Sequence, residues 1–336
     1  MRKRKISTVR YQVQYFDIFA ATNLGADESL VSKCATYHKK NILMKFIKLL
    51  FVVILAFTFN SSQAQTFGVR AGLNYSKFLG PNISADDATE KFGFSNGFHF
   101  GLSYAYDFTD LFSLRSELVY VQNGTKYEYD GDSYYIIRDL ARSKTTIEKG
   151  AVDYDLNISN AYISIPIMAN YRISKKWEIF GGPYVNMLIG PTGRGKLRFE
   201  SYDRPEQIVF RQSLDFKYNS DEDDQIFGTS PLSSDRIGIL VDGEVVELER
   251  FAGAYSRQGE RTGNKFNFLD IGITAGAHYF LNRGFFVGFQ IDYGLVDLTN
   301  NEVDFSLKDV NPDNSFQFSD DKDSHLGIHA SFGFRF

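Results

Sequence analysis

Charged residues recur at alternate positions within otherwise apolar segments of this 336-residue chain. Seven of them share that setting: Arg70, Arg115, Glu117, Arg172, Asp270, Asp292 and Arg335. Successive side chains of a β-strand point to opposite faces, so each charge shares a face with small and polar residues rather than with the apolar ones. Isolated charges in a narrow interior are costly, which predicts that these side chains pair into a structural salt-bridge network. The alternative interpretation is an ion path.

Three histidines, His99, His278 and His329, lie on the same polar faces. Three imidazoles bind a metal ion only if they converge at one level. These lie at different distances from the ends of their segments, so we expect polar packing and no metal site.

A nucleophile beside a histidine and an acid is the other arrangement to consider, and Asp323, Ser324 and His325 are adjacent in sequence. Neighbouring residues of a strand face opposite ways, which argues against a catalytic triad here. The acidic runs 221–224 and 320–323 lack the spacing of a calcium loop, and the glycine-rich run 190–196 lacks a following helix for a phosphate. We therefore predict no catalytic residue, no cofactor and no enzymatic activity.

The elements that carry these residues follow a period of two. In the last segment the apolar positions are Leu326, Ile328, Ala330, Phe332, Phe334 and Phe336. Seven earlier segments alternate in the same way: 67–76, 97–106, 112–120, 162–172, 177–189, 268–279 and 285–295. The pattern predicts β-strands with one apolar face each. In the fifth segment, Gly181, Gly182 and Pro183 interrupt the alternation and predict a bulge or bend.

The connections between these segments alternate in length. Short links at 107–111, 174–176 and 281–284 separate long polar stretches, notably 123–160 and 190–264. This alternation predicts an all-β fold, an eight-stranded antiparallel up-and-down transmembrane β-barrel with long extracellular loops. Within 190–264, the segments 197–201 and 207–216 and a hairpin around Val241-Asp242-Gly243 also resemble strands. They extend strands above the membrane or, alternatively, raise the number in the wall to ten.

The direction of the bulky side chains separates a membrane barrel from a water-soluble one. In a soluble barrel of this size the large apolar residues point inward. Here the face opposite the aromatic residues holds Gly, Ser, Asn, Arg and Asp, which suits a narrow hydrogen-bonded lumen, so Ile271, Phe289 and Phe332 are predicted to face lipid. We interpret Phe332, Phe334 and Phe336 as a C-terminal assembly signal for the barrel-assembly machinery.

The front of the chain resembles an export signal. Basic residues after Met44, an apolar run from Leu49 to Phe59 and small residues before Ala64 predict a secretory signal peptide over 44–64. Residues 1–43 precede it and are interpreted as an upstream segment from a misassigned start site, the alternative being a long basic leader. The barrel domain is then 65–336, with 190–264 as its long extracellular loop.

Composition excludes several classes of protein. Cys34 is the only cysteine and lies in the part assigned to the leader, so the barrel domain has no disulfide or thiolate site. Without the ten Lys and Arg and the three Asp and Glu of residues 1–64, the net charge is −11, too acidic for a nucleic-acid-binding protein.

Several short motifs resemble the PorT-like family of outer-membrane β-barrels. They are Phe67-Gly68-Val69-Arg70-Ala71-Gly72-Leu73-Asn74, Glu117-Leu118-Val119-Tyr120 with Gly124, Tyr162-Ile163-Ser164-Ile165-Pro166, and Phe180-Gly181-Gly182-Pro183-Tyr184. The resemblance covers 65–336 apart from the long loops. It implies a monomeric outer-membrane barrel with a part in envelope assembly or protein secretion.

From these observations we expect a non-enzymatic integral outer-membrane protein whose loops contact an envelope, secretion or surface partner. Its other expected contacts are outer-membrane lipid and the assembly machinery, with no nucleic acid. The alternatives are a small porin-like channel, a lipid A-modifying enzyme and a secreted soluble binding barrel.

Overall fold

The computed structural model describes residues 65–80, 88–139, 142–221, 236–256, 263–301, 307–310, 316–318 and 322–336. The expected signal peptide and upstream segment lie outside these residues, as do 222–224 and 320–321 of the two acidic runs. The strands of the barrel wall are β1 (Gln65–Leu79), β2 (Ala88–Asp107), β3 (Phe112–Asp139), β4 (Lys144–Arg172), β5 (Trp177–Ser201), β10 (Leu269–Phe280), β11 (Phe285–Gly294) and β14 (Ser324–Arg335). No helix in the described residues is long and apolar enough to cross a membrane.

Eight strands close into a ring. Neighbours in sequence pair antiparallel from β1 to β5, β5 pairs with β10, β10 with β11, β11 with β14, and β14 with β1. The register of the last closure runs from Gly68 opposite Arg335 to Leu79 opposite Ser324. A closed ring satisfies the backbone hydrogen bonds of every strand in hydrocarbon. The predicted eight-stranded barrel is confirmed.

Six shorter strands lie outside the ring: β6 (Val209–Lys217), β7 (Arg236–Val241), β8 (Glu244–Glu249), β9 (Phe251–Ala252), β12 (Leu307–Val310) and β13 (Phe316–Phe318). β6 pairs with the upper half of β5, and β9 pairs with β6 in parallel. β7 and β8 form a separate hairpin, as predicted for this segment. These strands extend the β-structure beyond the ring, so the ten-stranded wall is not formed.

A belt of exposed apolar side chains surrounds the ring. Phe332 is 58% exposed, Phe289 51% and Ile271 39%, whereas Arg70 and Asp270, on the opposite faces of their strands, are buried. Aromatic pairs such as Trp177 with Tyr279, ring centroids 5.0 Å apart, mark the short-turn edge of this belt. The bulky residues therefore face outward, as the sequence pattern predicted. Alternation with Leu269 would place Phe268 on the inner face, but Phe268 precedes β10 and is exposed.

The prediction that the long polar stretch 123–160 is a loop is wrong. β3 and β4 continue through it and pair from Asn123 opposite Asn160 to Asp139 opposite Lys144. Val152, Leu156 and Ile158 are buried while Asp153 and Asp155 are exposed. Polarity is thus reversed relative to the belt, because outside the membrane the outer face meets water and the inner face forms an apolar core.

The irregularity predicted at Gly181, Gly182 and Pro183 does not lie at these residues. Pairing with β10 runs without a shift from Trp177 to Met187. The irregularity lies higher, where Ala161 pairs with Gly190 and Tyr162 with Leu188, leaving Ile189 as the extra residue. This bulge moves even-numbered residues of β5 to the outer face, which places Leu197 and Phe199 in the extracellular core.

Replacing Phe289 with Arg tests the belt. Phe289 lies near the middle of β11, where an arginine facing hydrocarbon destabilises a barrel by about 2–4 kcal/mol. We expect a loss of that size in the free energy of unfolding, measured by guanidinium titration in lipid vesicles. Asn157→Arg, on the exposed outer face of β4 above the belt, is the matched control and should change stability little. Equal effects of the two variants would place Phe289 in an aqueous setting.

Candidate functional site

The lower lumen contains a cluster of ion pairs centred on Glu178. This residue lies at the start of β5 and accepts both Nη groups of Arg335, at 2.7 and 3.0 Å. Arg115 Nη1 lies 3.6 Å from the same carboxylate. The charge on Glu178 therefore joins β3, β5 and β14 across the lumen, and a bidentate arginine adds a fixed geometry to that link.

Glu117 extends the cluster upward. It shares the inner face of β3 with Arg115, whose Nε lies 3.2 Å from Glu117 Oε1. Its other oxygen accepts from Arg70 Nε at 2.7 Å. Arg172, by contrast, is partly exposed at the short-turn rim, 3.9 Å from Glu178 and 3.8 Å from Asp107. Of the predicted charged residues, Arg70, Arg115, Glu117 and Arg335 therefore meet in one cluster, with Arg172 at its margin.

Aromatic rings fill the space between these charges. The guanidinium of Arg115 lies 4.4 Å from the ring centroid of Phe180, and that of Arg335 lies 4.9 Å from Phe280. His278 packs 4.3 Å from Phe286 and its Nδ1 lies 3.0 Å from Arg115 Nη1. Cation–π contacts of this kind are strongest when desolvated, and all these side chains are buried or nearly so.

A second polar cluster lies higher in the lumen around Asn74. The Asn74 amide nitrogen donates to the carbonyls of Phe98 and Gln122 at 2.9 and 3.0 Å, which fixes its oxygen as an acceptor. Nδ1 of His99 and Nδ1 of His329 both lie within hydrogen-bond distance of that oxygen, at 2.5 and 2.7 Å. Both imidazoles must therefore donate from Nδ1.

Asp292 and Asp270 occupy the same upper level but have different partners. Asp292 lies 3.0 Å from His329 Nε2 and accepts from Thr274 at 2.5 Å. Asp270 accepts from Asn186 at 2.8 Å and lies 3.7 Å from His325. Asp292 thus joins the upper cluster through His329, whereas Asp270 pairs with Asn186 and His325 beside it. Arg70 Nη1 lies 3.5 Å from His99 Nε2 and links the lower cluster to the upper one.

The structure divides the three histidines named from the sequence. His99 and His329 lie together, with ring centroids 5.6 Å apart, whereas His278 belongs to the lower cluster. Among the described residues, no group of three or more His, Cys, Asp or Glu side chains is arranged to hold a metal ion.

Sequence reasoning missed two residues, Glu178 and Asn74. Both lie at inward positions of alternating strands, so the signal was present. Glu178 lies next to Trp177 in a segment whose glycines and proline obscured the alternation, and Asn74 is uncharged.

The adjacent Asp323, Ser324 and His325 do not assemble a reaction centre. Asp323 is buried and accepts from Thr299 at 3.0 Å, and His325 is directed toward Asp270. Within the described part of the chain, Ser324 forms no hydrogen bond to His325. Asp221, in the first acidic run, is likewise buried, with its carboxylate accepting the backbone amides of Lys217 and Ala254.

Above the membrane the β7–β8 hairpin contributes to the extracellular core. Ile239 and Leu248 are buried in it, and the backbone amide of Leu240 donates to Gln207 at 3.2 Å. The turn residues Asp242 and Gly243 have positive φ angles of 54° and 82°, the geometry of a two-residue hairpin turn. The hairpin is thus a fixed part of the extracellular structure.

Ion pairs hold the hairpin turn to its surroundings. Asp242 accepts from Lys144 Nζ at 2.8 Å and from Arg204 Nη1 at 2.6 Å, and Glu244 accepts from Arg142 at 2.8 Å. The hydrogen bond from Lys144 lowers the pKa of Asp242 below its ordinary value, and its charge and Arg204 act in the same direction. The Asp139 carboxylate raises the pKa of Arg142.

A cleft of about 330 Å³ lies between this hairpin and β3. Its lining mixes Tyr135 and Leu248 with Arg138, Arg236 and Glu247. Within this lining Arg236 is paired with Glu247 at 2.8 Å.

A closed ring of antiparallel strands with an apolar outer belt and a filled polar lumen defines an integral outer-membrane β-barrel. The chain belongs to the Outer membrane protein beta-barrel domain family, whose model matches residues 62–300. No curated protein matches the chain.

Several solved structures are similar to the chain. Ail of Yersinia pestis is 11% identical, with a TM-score of 0.30 over 82% of this chain and 100% of that one. OprG of Pseudomonas aeruginosa is 13% identical, with a TM-score of 0.33 over 81% and 96%. Neisserial surface protein A is 10% identical, with a TM-score of 0.32 over 80% and 97%. At these values the similarities carry no information on activity.

Replacing Glu178 with Gln tests the lower cluster. The change leaves Arg335 and Arg115 without their shared buried counter-charge, and breaking a buried pair from one side costs about 3–5 kcal/mol. We expect a decrease of that order in the free energy of unfolding in vesicles. Glu200→Gln, at the exposed end of β5 and paired with Arg198, is the control, with an expected change below about 1 kcal/mol. A stable Glu178→Gln barrel would show that the cluster is dispensable.

The lowered pKa of Asp242 predicts how the ion pairs of the hairpin turn depend on pH. Because this pKa is lowered on folding, the ion pairs of the turn persist at every pH above the ordinary carboxyl value of 3.8 and are lost as the pH falls through the lowered value. Hydrogen exchange of 236–249, corrected for intrinsic rates, should show equal protection from pH 8 to pH 5. Asp242→Asn, which tolerates the positive φ, should reduce protection across that range, while Glu247→Gln should not. Loss of protection between pH 8 and pH 5 in the native chain would contradict this assignment.

Proposed function

We propose that this protein is a non-enzymatic, non-conducting barrel of the PorT-like type that presents an ordered extracellular β-structure to a macromolecular partner. The partner belongs to envelope assembly, secretion or the cell surface. The observation that carries the proposal is the continuation of β3–β6 beyond the belt around an apolar core to which the β7–β8 hairpin contributes. A preordered surface binds with a lower entropic cost than a flexible loop.

The filled lumen supports the non-conducting part of the proposal over the porin-like alternative. Arg115, Glu117 and Glu178 are each at most 4% exposed, and Phe180 and Phe286 occupy the space between strands at the same level. An eight-stranded barrel has room for side chains but for no wide aqueous channel.

The burial of the candidate reactive groups supports the non-enzymatic part. His325, Asp270 and Asp323 are each at most 2% exposed. A lipid A-modifying enzyme needs its nucleophile or activated water at the outer rim, within reach of a lipid substrate.

Two exposed apolar residues on the hairpin give the proposal its sharpest test. Leu240 and Val245 are directly cross-strand and are 39% and 60% exposed, so they are available to a partner. We expect Leu240→Ser with Val245→Ser to lower the yield of a specific partner about tenfold or more in affinity capture from detergent-solubilised envelopes, since two central apolar contacts of an interface carry at least that much. The control exchanges Arg236 and Glu247 for each other and should retain capture.

Planar-bilayer recording is the second arm of this experiment. We expect no unitary conductance from the native barrel. Reproducible conductance steps, or capture that is unchanged in the serine variant and in a chain lacking 236–249, would overturn the proposal. Altered lipid A in a deletion strain, seen by mass spectrometry, would favour the enzyme instead.

A further inference from the structure

The outer face of the extracellular sheet carries its charges in two stripes. An acidic stripe runs along β3 and β4, and a basic stripe along β5 and β6. The acidic residues are Glu128, Asp130, Asp132, Asp153 and Asp155, flanked along their strands by Lys126 and Lys149; the basic residues are Arg194, Lys196, Arg198, Arg211 and Lys217, with Glu200 and Asp215 among them. The boundary between the stripes is the seam where β4 pairs with β5, with Asp155 opposite Lys196 and Asp153 opposite Arg198.

Like charges lie directly opposite one another within each stripe. Glu128 pairs in register with Asp155, and Asp130 with Asp153. On the basic side, Arg198 pairs with Arg211. Like charges at directly opposed positions destabilise a sheet. This cost is offset in part because Asp153 and Asp155 also lie opposite Arg198 and Lys196 on β5, and an external counter-charge would reduce what remains.

Part of the basic stripe is neutralised within the chain, since Arg194 Nε lies 3.6 Å from Asp215 and Arg198 contacts Glu200 at 2.9 Å. In the part of the chain that the structure describes, Asp153, Asp155 and Lys196 form no ion pair within 4.0 Å, although each has an opposite charge on the adjacent strand. These three side chains at the seam are therefore available to charges from outside the chain.

Where the same seam crosses the belt it carries small residues at two heights, separated by the exposed side chains of Ile165, Ile167 and Val185. Ala161 lies opposite Gly190, and Ala169 opposite Gly181. A methyl group added at Gly190 would meet nothing closer than 3.7 Å, so the packing of the chain itself does not require glycine there. Small residues on a lipid-facing surface let a second transmembrane segment approach closely.

We propose that two copies of this chain associate about a two-fold axis parallel to the membrane normal, centred on the β4–β5 seam. The membrane holds both copies upright at one depth, so equal heights meet. Rotation by a half-turn places β4 of one copy against β5 of the other, which brings Asp153 and Asp155 to Lys196 and Arg198 of the second copy. One self-complementary contact thus supplies counter-charges to both stripes.

A second copy fits this face better than an anionic lipid headgroup does. A phosphate would satisfy the basic stripe, yet the acidic stripe beside it would repel the same ligand. The dimer accounts for both stripes and for the small residues below them, and it replaces the expectation of a monomer.

Paired charge reversals test the contact. Lys196→Glu with Arg198→Glu makes the seam acidic on both of its strands, and Asp153→Lys with Asp155→Lys makes it basic on both. Each variant alone should lose dimer by about tenfold or more, because several exposed ion pairs become repulsions at once, as measured by energy transfer between labelled copies in neutral lipid vesicles. Mixing the two variants should restore association between them. Resistance of each barrel to unfolding by SDS verifies folding.

Cross-linking locates the axis. In a Cys34→Ser background, Asn157→Cys on β4 should react with Asn157→Cys of the second copy through a short bis-maleimide. The control is Lys77→Cys, on the far side of the ring. We expect a yield about tenfold higher at position 157, because only that pair of cysteines is held close. A monomer at all protein-to-lipid ratios would overturn the proposal. Equal cross-linking yields at the two positions would also overturn it, as would dimers that are insensitive to the charge reversals. Binding of the stripes to anionic vesicles without any association between copies would overturn it as well.

Discussion

The structure depends on the requirement that no backbone polar group be left unpaired in hydrocarbon. That requirement forces the strands into a ring, and the critical closure is made by β5. Its lower half, from Trp177 to Met187, pairs with β10, while its upper half, from Thr192 to Glu200, pairs with β6. The strand changes partner at the bulge around Ile189, close to the upper edge of the belt. The membrane ring and the extracellular sheet thus share β5, which pairs with β10 in the ring and with β6 in the sheet. β4 pairs with β5 in both.

Closing the ring creates an interior that must also be filled. A narrow barrel leaves inward side chains no access to bulk water, so each charge needs a partner. The lower lumen solves this with one carboxylate, Glu178, shared among arginines from different strands. A buried ion pair adds little net stability relative to an apolar pair of equal volume. Its contribution is specific: a one-residue slip of β14 against β1 would move Arg335 to the lipid face, so the cluster favours a single register.

The sequence identified the ring better than the structure above it, and the reason is physical. Within the belt, lipid outside and a polar lumen inside give every strand the same alternation. The sequence therefore located the ends of β10, β11 and β14 to within two residues and those of β1 to within three. Above the belt water replaces lipid and the polarity reverses. Tyr154, Leu156 and Ile158 alternate just as regularly as the belt residues, but their polar neighbours Asp153 and Asp155 resemble a loop to a reader who expects apolar residues outside.

The residues of the candidate site were likewise predictable from the sequence only in part. Alternation placed Arg70, Arg115 and Glu117 inward, but it could not tell which strands bring their charges to one height, because height depends on stagger between strands far apart in sequence. Arg335 meets Glu178 across a separation of 157 residues, and His329 meets Asn74 across 255. No local pattern encodes those contacts. The same holds for the outer-face stripes. In the sequence each charge resembles an ordinary solvated residue, and only the register of β3 to β6 shows that like charges stand side by side.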